Sequence, residues 1–114
     1  MAKLPNHILE IIFDLLKQLS KLVDEATATE YLLFERFGET DETINSLDEL
    51  KGVALDASSR YAQLSTLRLR IAEAQPGLSN DMLNLLEKTI TQNQLKIPAL
   101  ERSIEEIKIE WSLL

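Results

Sequence analysis

The sequence predicts an all-α protein, an elongated antiparallel up-down-up three-helix bundle with coiled-coil-like heptad packing. Three observations carry this prediction. Apolar residues recur in alternating steps of three and four along three long stretches, which puts them on one face of a helix. The clearest breakers, Gly38 and Gln75-Pro76-Gly77, fall between those stretches. Only three Gly and three Pro occur in 114 residues, too few for the turns of a many-stranded β protein. A chain of this length forms one domain, residues 1–114.

The first helix is expected over about 6–37. Its seam runs Ile8, Ile12, Leu15, Leu19, Leu22, Ala26, Thr29 and Leu33. Leu9, Ile11, Leu16 and Val23 widen that seam, so the helix should touch two neighbours. Pro5 and Asn6 suit a helix start and Gly38 suits a stop.

The second helix is expected over about 44–75, with a seam of Leu47, Leu50, Ala54, Ala57, Tyr61, Leu64, Arg68 and Ile71. Ser46-Leu47-Asp48-Glu49 reads as a capping box, and Thr43 offers a start one turn earlier. Gly52 costs about 1 kcal/mol relative to Ala but does not stop so periodic a helix. The third helix is expected over about 80–112. Its seam is Leu83, Leu86, Ile90, Asn93, Ile97, Leu100, Ile104, Ile107, Trp111 and Leu114, with Ser79, Asn80 and Asp81 supplying cap and acidic first turn. Pro98 removes one donor and should kink the helix near Gln94–Ile97 without dividing it, because the heptad phase continues across it.

Short connections make successive helices antiparallel. A hairpin-like protomer that completes its core by dimerising is the alternative. Three polar residues fall in the seams: Thr29, Arg68 and Asn93. Arg68 is expected at a seam edge with its head in water. Thr29 and Asn93 are expected to find local hydrogen bonds, and a polar seam residue can also fix register or oligomeric state.

Composition excludes several chemistries. With no Cys there is no disulfide, thiolate metal site or Cys nucleophile, and one His precludes a multi-His metal site. A net charge of −7 argues against binding to nucleic acid or to an anionic membrane. No stretch is apolar enough for a signal peptide or a membrane span, so a cytoplasmic location is expected. The acidic stretch 38–52 does not match a calcium loop in either register, since Ser46 or Ile44 stands where Gly is needed. His7-Ile8-Leu9-Glu10 reverses the Glu-x-x-His order of helical di-metal sites. No phosphate loop, nucleophile elbow or His-Asp-Ser set is present. The sequence therefore points to no catalytic, cofactor or metal residue and to no enzyme. The alternative is a small-molecule binder or small helical enzyme with an inter-helix pocket, whose polar groups would be Tyr61, Arg68 and Asn93.

One surface stands apart. Tyr31, Leu32, Leu33, Phe34 and Phe37 are apolar nearly all round the first helix, as are Ile107, Ile109, Trp111, Leu113 and Leu114 near the end of the third. In an up-down-up bundle these ends lie at the same pole, beside the acidic connection. Leu113 and Leu114, at the very terminus, are hard to bury in one copy. The expected interface is Tyr31, Phe34, Phe37, Trp111, Leu113 and Leu114. It would bind a protein partner or a second copy as a homodimer, with the acidic connection favouring a basic partner surface.

The stretch YLLFERFGETDETINSLDELKG, residues 31–52, resembles small acidic all-helical proteins of cyanobacteria, some of which carry heterocyst-differentiation labels. That resemblance implies a bacterial cytoplasmic regulator or adaptor. Taken together, the residues predict a non-enzymatic protein–protein interaction or adaptor module that self-associates.

Overall fold

The structure is a computed structural model that describes residues 4–74 and 77–114. Three helices follow one another: α1 (Asn6–Phe37), α2 (Ile44–Glu73) and α3 (Asn80–Glu110). Each packs against both others, so the third helix closes the core within one chain and no second copy is needed for that. Helices of this length are about 45–48 Å long. The molecule measures 56 × 19 × 17 Å, one helix long and two helices across. Its radius of gyration, 17.3 Å, exceeds the roughly 13 Å of a rounded domain of this size.

Side-chain contacts fix the helix directions. Phe37 at the end of α1 meets Trp111 at the end of α3, and Trp111 also bonds Ser46 in the first turn of α2. At the opposite pole Leu4, Pro5, Ile8 and Ile11 share a groove with Leu83, Leu86 and Ile90. The bundle therefore runs up, down, up.

The expected α1 seam is buried from Ile12 to Leu33, Thr29 included, with Ile8 half-buried in the first turn. Thr29 satisfies its hydroxyl by donating to the Glu25 carbonyl one turn back, at 2.7 Å. On α2, Leu47, Leu50, Ala57, Leu64 and Ile71 are buried as expected. Ala54 and Arg68 are only half-buried and Tyr61 is exposed, whereas Val53 and Leu67 are buried. The burying face of α2 is thus turned toward Val53 and Leu67, the side that meets α3. The Arg68 Nε is buried without a hydrogen-bond partner. On α3, Leu86, Asn93, Ile97, Leu100, Ile104 and Ile107 are buried and Leu83 is exposed; Leu114, beyond the helix, is exposed too.

The helix ends follow local chemistry. Gly38 takes φ of 71°, and its N–H donates to the Phe34 carbonyl at 2.8 Å, which ends α1. Ser79 caps α3 as expected, its hydroxyl accepting from the Met82 N–H at 3.2 Å. The capping box of α2, however, is not Ser46/Glu49. The Thr43 N–H donates to Thr40 Oγ1 at 3.1 Å, and the Thr40 N–H donates to Thr43 Oγ1 at 2.8 Å. This reciprocal pair, six residues earlier, closes the turn that leads into α2 in the way expected of Ser46 and Glu49. Ser46 is free of the helix start because its hydroxyl faces the core and Trp111. At the other end of α2 the expected Gln75-Pro76 turn lies outside the described residues.

Pro98 sits inside an unbroken α3. Both Pro98 and Gln94 are exposed, so water can replace the donor that Pro98 lacks.

Candidate functional site

The aromatic pole is built by three helix ends. Trp111 occupies the cap position of α3. Its ring lies 5.2 Å from that of Phe37, tilted by 51°, a favourable geometry for an aromatic pair. Its indole N–H donates to Ser46 Oγ at 3.1 Å. These two contacts leave Trp111 half-buried and fixed in orientation.

The chain beyond Trp111 turns back. Ser112 adopts φ of 54°, its N–H donates to the Ile109 carbonyl at 3.2 Å, and the Leu113 N–H donates to the Lys108 carbonyl at 2.8 Å. That pair of bonds is a Schellman ending, with Ser where Gly is usual. It carries Leu113 into the core, where it is 7% exposed. The expectation that Leu113 resists burial in one copy is therefore corrected. Leu114, one residue on, is 79% exposed.

Tyr31 and Phe34 stand outside this packed end. Tyr31 is 66% and Phe34 54% exposed, and Phe37 is also exposed beside Trp111. Tyr31 and Phe34 form one wall of a groove between α1 and α2, with Leu47 and Lys51 on the other side and Thr27, Glu30 and Glu39 completing it. The groove has a volume of about 320 Å³. Lys51 is tied across it to Glu30 at 3.6 Å. Of the six expected interface residues, the structure brings Phe37 and Trp111 into contact, sets Tyr31 and Phe34 together on the groove, leaves Leu114 exposed and withdraws Leu113. The sequence reading places Leu47 in the α2 seam and assigns no role to Lys51. Their place opposite Tyr31 and Phe34 follows from the antiparallel pairing of α1 and α2.

The residues proposed for an inter-helix pocket do not converge. Asn93, 2% exposed, donates from Nδ2 to the Thr89 carbonyl at 3.0 Å and accepts from Arg60 Nη1 at 3.5 Å. Arg60 in turn donates to Asp56 at 2.9 Å, and Lys96 lies 3.9 Å from the same carboxylate. This network ties α2 to α3 and engages Arg60 rather than Arg68. Tyr61 is exposed, and Arg68 lies two turns further along α2 from it. Among the described residues no group of three or more His, Asp or Glu is placed to hold a metal ion, and no helix is long and apolar enough to cross a membrane.

Comparison with protein-family models, with curated proteins and with solved structures returns no match to this chain.

Proposed function

We propose that this protein is a non-enzymatic interaction module of regulatory or adaptor type, acting in the cytoplasm, that engages a protein partner through the aromatic pole. The observation that carries this reading is the pair of exposed rings, Tyr31 and Phe34, beside a Phe37–Trp111 pair whose orientation is fixed by the Ser46 bond. Large rings held rigidly on a surface contribute much binding energy at little entropic cost, which is why aromatic residues anchor interfaces. The adaptor role also accords with the resemblance of residues 31–52 to small acidic helical proteins.

Self-association through this pole is the second form of the same reading. Exposed Leu114 favours it; buried Leu113 no longer does.

Replacing both exposed rings, Tyr31→Ala with Phe34→Ala, tests the proposal without opening the core. The parent and the variant are compared by circular dichroism, by sedimentation equilibrium, and by capture from an extract of the cells that make the protein. A stoichiometric partner, or a self-associated mass, that is present in the parent and lost in the folded variant supports the reading. An unchanged mass together with an unchanged set of captured proteins overturns it.

A further inference from the structure

The charge of the molecule is unevenly distributed along the chain, and the excess falls in the segment that supplies Tyr31 and Phe34 to the groove. The segment from Glu30 to Lys51 comprises the last two turns of α1, the connection and the first two turns of α2. It holds seven acidic residues and two basic ones, a net charge of −5 out of −7 for the whole chain. The other 92 residues carry twelve acidic and ten basic side chains and are nearly neutral.

Both basic residues of the segment are already engaged. Lys51 pairs with Glu30 at 3.6 Å, and Arg36 Nη1 reaches the Ser112 carbonyl at 3.5 Å. Among the described residues Glu35, Glu39, Asp41, Glu42, Asp48 and Glu49 form no ion pair, and all six are exposed. The groove thus presents the Tyr31 and Phe34 rings over a floor that includes buried Leu47, with Glu30 and Glu39 at its edge, within the most acidic segment of the chain.

We infer that the partner seated on this groove is a basic amphipathic helix. Its apolar side packs on Tyr31 and Phe34, and its lysines or arginines face Glu39 and the other exposed carboxylates of the same segment. The inference rests on the reading of the aromatic pole as an interaction surface and names the class of partner. A furrow between two antiparallel helices accepts the apolar stripe of a third, with anchors spaced at three and four residues. Charge selects among the possible occupants. A second copy docked by the same pole would bring two net charges of −5 together, and juxtaposed like charges oppose association. An acidic or phosphorylated segment meets the same opposition. A basic helix gains both from steering toward the pole and from pairing once there.

The test uses the full-length protein and a fluorescent helical peptide of about 18 residues, five turns long, built from Leu and Lys at heptad spacing. A second peptide has every Lys replaced by Glu. Binding is followed by fluorescence anisotropy. The Lys peptide is expected to bind, and the Glu peptide is not. Raising salt from about 0.05 M to about 0.5 M should weaken binding several-fold, because exposed charges are screened. Tyr31→Ala with Phe34→Ala, which leaves the charge unchanged, should weaken binding at least about tenfold, since two rings are no longer covered. Leu95→Ala removes an equally exposed apolar side chain on α3 and should leave binding at the parent's level.

Equal binding of the Glu peptide overturns the inference. So does Lys-peptide binding that survives loss of both rings, or the absence of any Lys-peptide binding. If the Lys peptide fails while a captured partner is still lost in the Tyr31/Phe34 variant, the basic helix is wrong and the interaction surface stands. If both fail, both readings fall.

Discussion

The indole N–H of Trp111 donates to the hydroxyl of Ser46 at 3.1 Å, across 65 residues of sequence. The same indole rests on Phe37. One side chain at the end of α3 therefore fastens the last turn of α1 and the first turn of α2. Through it, the orientation of the aromatic pole depends on three helix ends at once. A surface held in this way loses little freedom when a partner covers it.

That bond has a measurable weight. Trp111→Phe keeps most of the ring contact with Phe37 and removes the donor. It should lower unfolding stability in urea by about 1 kcal/mol, as should Ser46→Ala. Combined, the two changes should cost at least about 0.5 kcal/mol less than the sum of the single changes, because the bond can be lost only once. Strict additivity would mean that the bond contributes nothing to folding.

The terminal turn makes a sharper prediction from two adjacent leucines. Leu113→Ala should destabilise the protein by about 2 kcal/mol, the lower end of the range for a buried leucine. Leu114→Ala, at an exposed position, should stay within about 0.5 kcal/mol of the parent. Thermal melts of the two variants decide the matter. Equal melting temperatures would show that the Schellman ending does not hold Leu113 in the core.

The start of α2 separates two candidate capping residues six positions apart. Thr43→Ala removes a hydroxyl that accepts from the Thr40 N–H and donates to the Gly38 carbonyl at 2.8 Å, and it should cost about 1–2 kcal/mol. Glu49→Ala, an exposed change, should alter stability by less than about 0.5 kcal/mol. The reverse order in denaturant titrations would return the helix start to Ser46.

The heptad spacing made α1 legible almost residue by residue, because every seam position from Ile12 to Leu33 is buried. It was less complete for α2. In a bundle of three, each helix meets two neighbours, so its buried face spans more than one line of residues. A single seam cannot tell whether Val53, Arg60 and Leu67 or Ala54, Tyr61 and Arg68 turn further inward. The structure turns the first set toward α3, which buries Val53 and Leu67 and brings Arg60, not Arg68, to Asn93. For the pole, the convergence of Phe37 and Trp111 was legible from helix direction alone. The burial of Leu113 was not, because it depends on Ser112 adopting a left-handed conformation that sequence leads one to expect of Gly.

The sequence by itself determined the number of helices, their approximate limits, the order up, down, up, and which residues of α1 lie inside. Periodicity and chain breakers act locally, and short connections leave neighbouring helices one direction to run. Only the tertiary structure decided which flank of α2 faces α3, that Thr40 and Thr43 rather than Ser46 and Glu49 begin α2, and that the last turn folds Leu113 inward while leaving Tyr31 and Phe34 outside. Each of those outcomes depends on contacts between residues far apart in the chain. There, packing and hydrogen bonding choose among alternatives that local preference leaves nearly equal in energy.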